Sequence, residues 1–192
     1  LTYDYDIIEK IMKYNIIPDN TCFDLLLKTG MDEQSKIKIL ELFITNGFIP
    51  NINNLYEALR RNAEYSIIDG ILKYNIIPNN NCFTELVKNK YSEQLKLELC
   101  KTFILNGLTP NIHNLYDALT YVRYAIVCII LEYGIVPNNK CVELLLKNFK
   151  DNQLQIKLLG SFIDNEFMPN IDTLYRALKF NAGYNIISKI LQ

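Results

Sequence analysis

The chain has 192 residues, a formal net charge of -1 from 20 Lys+Arg against 21 Asp+Glu, and 49% hydrophobic residues. That apolar content is ample for a packed core and excludes a disordered chain, while near-neutrality argues against a general polyanion binder. The longest unbroken apolar run, Ala125 to Leu131, is far short of the roughly 20 residues a bilayer crossing needs, and no secretory signal pattern is visible.

The elements in chain order are copies of one another. Ile7 to Pro18 aligns with Ile67 to Pro78 and with Ile126 to Pro137. Asn51 to Leu59 aligns with Asn111 to Leu119 and Asn170 to Leu178. All six prolines share one register: Pro18, Pro50, Pro78, Pro110, Pro137 and Pro169, spaced by 32, 28, 32, 27 and 32. The period of about 60 residues is therefore a long half followed by a short half.

Each half opens on a Pro-Asn or Pro-Asp turn and continues with two apolar segments at helical spacing. In the long half the first helix is expected at about Cys22–Lys28, Cys82–Lys88 and Cys141–Lys147. The second is expected at Glu33–Thr45, Glu93–Leu105 and Asn152–Asp164. Asp32, Ser92 and Asp151 stand as its N-caps, and Gly47 and Gly107 as left-handed C-caps. In the short half Asn54, Asn114 and Thr173 read as N-caps, with Glu57 and Asp117 three residues on, close to a capping box. The helix from Tyr65 to Tyr74 then returns. No segment alternates with period two, so no strand is expected.

Helical pairs of about 30 residues cannot bury their apolar faces alone. Stacked, they share a core, so the expected fold is an all-α solenoid of about six helix-turn-helix units. Partial units 1–17 and 169–192 flank full units 18–49, 50–77, 78–109, 110–136 and 137–168 in a single solenoid domain. Both outer units break off mid-repeat, which suggests an excerpt from a longer array with apolar edges and weakly covered residues such as Ile190. Ladders at Tyr5/Tyr65/Tyr124/Tyr184, Tyr14/Tyr74/Tyr133, Tyr56/Tyr116/Tyr175 and Phe43/Phe103/Phe162 read as packing between repeats.

Two resemblances follow from these residues. Ile39 to Asn51, with Leu99 to Asn111 and Ile130 to Asn138, resembles the second helix and exit of an ankyrin repeat. The Thr-Pro-Leu-His stretch of that family is replaced by Asn-Leu-Tyr-X-Ala-Leu or Cys-Phe-X-X-Leu, and the connection after the Asn is too short for the family's β-hairpin finger. Divergent ankyrin-like proteins of large DNA viruses show such erosion. Abundant Asn, Ile, Lys and Tyr likewise suit an AT-rich viral or protist genome. This resemblance implies a non-enzymatic adaptor or scaffold with a protein partner, and contact with other parts of a longer chain or an assembly. Gly107-Leu108-Thr109-Pro110-Asn111 and Gly134 to Asn138 resemble the junction of the pentatricopeptide repeat, which implies single-stranded RNA as the alternative partner. That family's base-reading position holds Asp24, Tyr56, Thr84, Tyr116, Glu143 and Tyr175 here. Only Thr84 fits, and acids there repel phosphate.

No catalytic, cofactor or metal constellation is expected. Cys22, Cys82 and Cys141 sit at one repeat position, 60 and 59 residues apart. Packed helices lie roughly 8–10 Å apart, so these thiols cannot share one ion. They read as small core residues, as does Cys100; Cys128 falls at a polar repeat position. An odd number of cysteines without close pairs points to a reducing, cytoplasmic compartment, the host's for a viral protein. His113, the only histidine, has no partner placed by sequence. A binding surface should vary where the framework repeats. The candidate positions are Asn53, His113 and Asp172 at the start of the short-half first helix, and Arg60, Arg61, Tyr121 and Phe180 at its end.

Overall fold

The computed structural model describes residues 5–191. Among them the chain forms thirteen helices and no strand, an α-solenoid-like repeat. They are α1 (Tyr5–Met12), α2 (Asn20–Lys28), α3 (Glu33–Thr45), α4 (Ile52–Arg60), α5 (Tyr65–Leu72), α6 (Asn80–Lys88) and α7 (Glu93–Leu105). They continue as α8 (Ile112–Thr120), α9 (Tyr124–Glu132), α10 (Asn139–Asn148), α11 (Asn152–Asp164), α12 (Ile171–Lys179) and α13 (Tyr184–Ile190). The three long-half second helices run over the residues expected of them.

The six Pro-Asx junctions build the helix starts. Pro18, Pro50, Pro78, Pro110, Pro137 and Pro169 each precede an N-cap: Asp19, Asn51, Asn79, Asn111, Asn138 and Asn170. All six N-caps are extended, and each side chain accepts a bond from an N–H of the first turn. These groups have no partner within the helix, so the cap satisfies them.

One expectation is corrected here. Asn54, Asn114 and Thr173 are not N-caps; they are the third helical residues. The caps stand three residues earlier, at Asn51, Asn111 and Asn170. The side chains of Asn54 and Thr173 accept back from the cap N–H groups at 2.9 and 3.0 Å, so the capping box is Asn-Asn or Asn-Thr. Glu57 is freed from that role and pairs with Arg60.

Helix exits are equally regular. Gly47 and Gly107 adopt φ of 96° and 98°, as left-handed caps. The N–H of Phe48 donates to Phe43 O at 2.9 Å and that of Gly47 to Ile44 O at 3.0 Å, the paired bonds of a Schellman close. Phe48 also meets the Phe43 ring edge-on at 6.4 Å between centroids.

The chain divides into two compact units. One comprises Leu1–Leu95 and Lys101–Leu108, the other Lys96–Cys100 and Thr109–Gln192. In the first, α2 packs on α4 and α4 on α6 in one layer, while α1 packs on α3 and α3 on α5 in the other. Contacts of α2 with α3 and of α4 with α5 join the layers. The second unit repeats this plan: α8, α10 and α12 form one layer and α9, α11 and α13 the other. Between layers lie fully buried rings and branched chains, among them Phe23, Phe83, Phe162, Leu55 and Ile67.

The ladders separate into two kinds. Phe43, Phe103 and Phe162 are core, at 5%, 0% and 0% exposure. The tyrosine ladders are not. Tyr14, Tyr74 and Tyr133 are exposed, Tyr5, Tyr65 and Tyr124 are half-buried with Tyr184 exposed, and Tyr175 is 63% exposed. A phenolic hydroxyl left without a buried partner is costly, so these rings lie at the surface.

Candidate partner-binding face

The first helix of each half turns one stripe outward. On α8 it runs through His113, Tyr116 and Asp117; on α10 through Lys140 and Glu143; on α12 through Asp172, Tyr175 and Arg176. These positions recur at three- and four-residue spacing, so they share a helix face. The inward positions Leu115, Ala118 and Leu119 are fully buried.

In the second unit this stripe is organised around Tyr116. The Lys140 ammonium sits 4.1 Å from the Tyr116 ring centroid. The Asn138 amide donates to the Tyr116 hydroxyl at 2.7 Å, and the His113 ring meets Tyr116 edge-on at 5.9 Å. Beside it Arg176 bridges Glu143 of α10 and Asp172 of its own helix, the latter at 3.0 Å. In the first unit Arg60 holds Glu57 at 2.6 Å. That bond is the first cause holding the Glu57 carboxyl below its ordinary range. Arg61 lies 3.4 Å from Glu57 and 3.9 Å from Asp24.

The seven residues singled out from sequence fall into two rims. Asn53, His113 and Asp172 are second helical residues, and each backbone N–H donates to its N-cap at 2.9 to 3.0 Å. Asn53 and His113 are exposed and Asp172 partly so. Arg60 ends α4, while Arg61, Tyr121 and Phe180 are the C-caps of α4, α8 and α12. The rims sit at opposite ends of nine-residue helices, about 12 Å apart at 1.5 Å per residue. Tyr121 and Phe180 are half-buried rather than standing free. Of the residues that join the rims, Tyr116 and Glu143 were noted at the pentatricopeptide base-reading position and not as site residues, and Lys140 and Arg176 were missed. The Tyr56/Tyr116/Tyr175 ladder was their signal in the sequence, read there as packing.

Five cysteines are free: Cys82, Cys100 and Cys141 are buried, and Cys22 and Cys128 are half-buried. Burial pushes the Cys82 and Cys141 thiols up to about 11, which suits inert core residues. Among the described residues no group of three or more His, Cys, Asp or Glu could hold a metal ion, and no helix is long and apolar enough to cross a membrane. No protein-family model matches the chain, and no curated protein matches its sequence.

Proposed function

We propose that the chain is a non-enzymatic protein-interaction module, an ankyrin-like adaptor or scaffold that works in a reducing, cytoplasmic compartment and binds along the outward stripe of α8, α10 and α12. The observation that carries this reading is the Tyr116 cluster. An amphipathic ring, a cation on its face and a neighbouring carboxylate–guanidinium pair combine apolar area with directional bonds of both signs. Aromatic and Arg side chains of this kind anchor protein interfaces.

Charge balance favours protein over RNA. In the first unit Asp24, Glu57 and Glu85 alternate with Lys28, Arg60 and Lys88; in the second, Asp117, Glu143 and Asp172 alternate with Lys140, Lys147 and Arg176. A track for a phosphate backbone needs uncompensated positive charge. Two of the three tyrosines at the pentatricopeptide base-reading position are half-buried, and Glu143 there is occupied by Arg176.

The test compares wild type with a Tyr116→Ala, Lys140→Glu, Arg176→Glu variant in quantitative affinity capture from the native cell. Loss of a specific set of proteins from the variant, with unchanged circular dichroism, is the expected result. Sub-micromolar, salt-sensitive binding of single-stranded RNA in a filter assay would replace this reading with the RNA-binding one.

A further inference from the structure

A cleft of about 360 Å³ opens between α3 and α5 in the first unit. Its floor is apolar, formed by Ile37, Leu40 and Ile44, and its rim carries Glu41, Asp69 and Lys73. Both helices have further neighbours in the chain, α1 and α2 on α3 and α4 on α5, so the cleft is internal to the array. Gly70 leaves it open. Glycine is a poor helix-interior residue, and the copies of this position carry Lys10, Ile129 and Lys189. A methyl carbon built on Gly70 would meet Leu40 Cδ2 at 3.5 Å, an ordinary contact, so a side chain has room there. The α11–α13 pair of the second unit copies α3–α5 and shows what fills the space. There Lys189 stands at the position of Gly70, and Gly160 at that of Glu41. Lys189 lies across Gly160: a methyl carbon built on that glycine would come within 3.2 Å of Lys189 Cε and 3.5 Å of its Nζ. The two pairs are opposites. One supplies the lysine over a bare bed; the other removes the lysine and sets a carboxylate beside the gap.

We propose that the α3–α5 cleft seats a lysine side chain presented by a partner protein. The four-carbon stem lies on Ile37, Leu40 and Ile44, as long cationic side chains cover apolar surface while the charged head stays in water. The ammonium meets the Glu41 carboxylate. Lys73 does not oppose it, because its Nζ is already held by Asp69 at 2.9 Å. Glu41 is exposed and makes no ion pair among the described residues, so its charge is left for the occupant. An uncharged apolar side chain would fill the floor but leave Glu41 unanswered, and an acidic one would be repelled. The seat uses none of the residues of the Tyr116 cluster and stands or falls separately from it.

The probe is N-acetyl-lysine N-methylamide, titrated to tens of millimolar at low salt into the full chain carrying isotope-labelled isoleucine methyls. Saturable shifts at Ile37 and Ile44 are expected, with Ile104 and Ile163, the copies of Ile44, unmoved. The norleucine analogue, and the lysine probe on a Glu41→Gln chain, should each bind about threefold more weakly or worse. Gly70→Lys places the chain's own lysine in the seat, as Lys189 does, and should abolish the shifts. Its Tm should exceed that of Gly70→Ala, which gains helix propensity alone, and Glu41→Gln should remove that surplus. Absent shifts, equal binding of the norleucine analogue, normal binding by Gly70→Lys, or a Gly70→Lys chain no more stable than Gly70→Ala would each overturn the proposal. Tighter binding of free cadaverine than of the blocked lysine would also overturn it, by assigning the seat to a polyamine.

Discussion

Val122 has φ of 59° and Glu166 a φ of 65°, both in the left-handed region that side chains with a Cβ enter at a cost. Val122 stands where the other two copies have Asn62 and Asn181, at φ of 54° and 52°; Glu166 stands where they have Gly47 and Gly107. The Schellman close forces the conformation: Arg123 N donates to Ala118 O at 2.8 Å and Phe167 N to Phe162 O at 3.0 Å. Val122→Asn and Glu166→Gly should therefore each stabilise the chain by about 1 kcal/mol, raising Tm by roughly 2–4 °C. A calorimetric scan that shows no rise for either variant would mean the strain is relieved elsewhere. A second residue-scale effect depends on pH. The Asp19 and Asp32 carboxyls lie below their ordinary value of 3.8, Asp19 chiefly through the Cys22 N–H bond and Asp32 chiefly through Ser35. A folded value below the unfolded one stabilises above about 3.8, and the gain is lost as pH falls through the lowered value. Urea midpoints should drop between pH 5 and pH 2.5, and less so in the Asp19→Asn, Asp32→Asn variant. Asn caps as Asp does without titrating.

At the scale of elements, the prolines carried most of the legible information. Proline fixes its own φ and pushes the residue before it out of helix, so each junction was visible. The cap itself was misread by one turn in the short half. Asn51 and Asn54 have the same chemistry, and only the folded chain shows which accepts from the first turn and which reaches back. The correct assignment has a measurable consequence. Asn51→Ala should cost about 1 kcal/mol, since it strips the cap of α4. Asn51→Asp should cost markedly less, because Asp19 already fills that place at the Pro18 junction. Equal losses in both variants, read from chemical denaturation, would point to the amide bond between Asn51 and Asn20 at 3.3 Å rather than to the cap. The tyrosine ladders failed as core markers for a related reason. Periodicity reports which residues share a face but not which face is buried, and a Tyr satisfies either one.

For the whole molecule, stability rests on neighbours, because each helical pair covers the next. Repetition offers a controlled comparison: one residue type, one position in the repeat, different surroundings. Leu59, Leu119 and Leu178 are equivalent, yet the first two are fully buried and the third is 57% exposed. Leu59 and Leu119 lie on helices packed by a following first-layer helix, α6 and α10 respectively. Leu178→Ala deletes the same atoms from a place already half in water. Leu59→Ala and Leu119→Ala should thus cost about 2–5 kcal/mol and Leu178→Ala less than about 1. The same logic corrects the expectation for the last helix. Ile190 is buried, at 7%, on a helix that packs on both α11 and α12, and the uncovered side chain is Leu191, at 67%. Ile190→Ala belongs with the costly group and Leu191→Ala with the cheap one. If denaturation found Leu178→Ala or Leu191→Ala as damaging as Leu59→Ala, those exposed side chains would have to be covered in solution by a second molecule. A concentration-dependent midpoint would then expose that association.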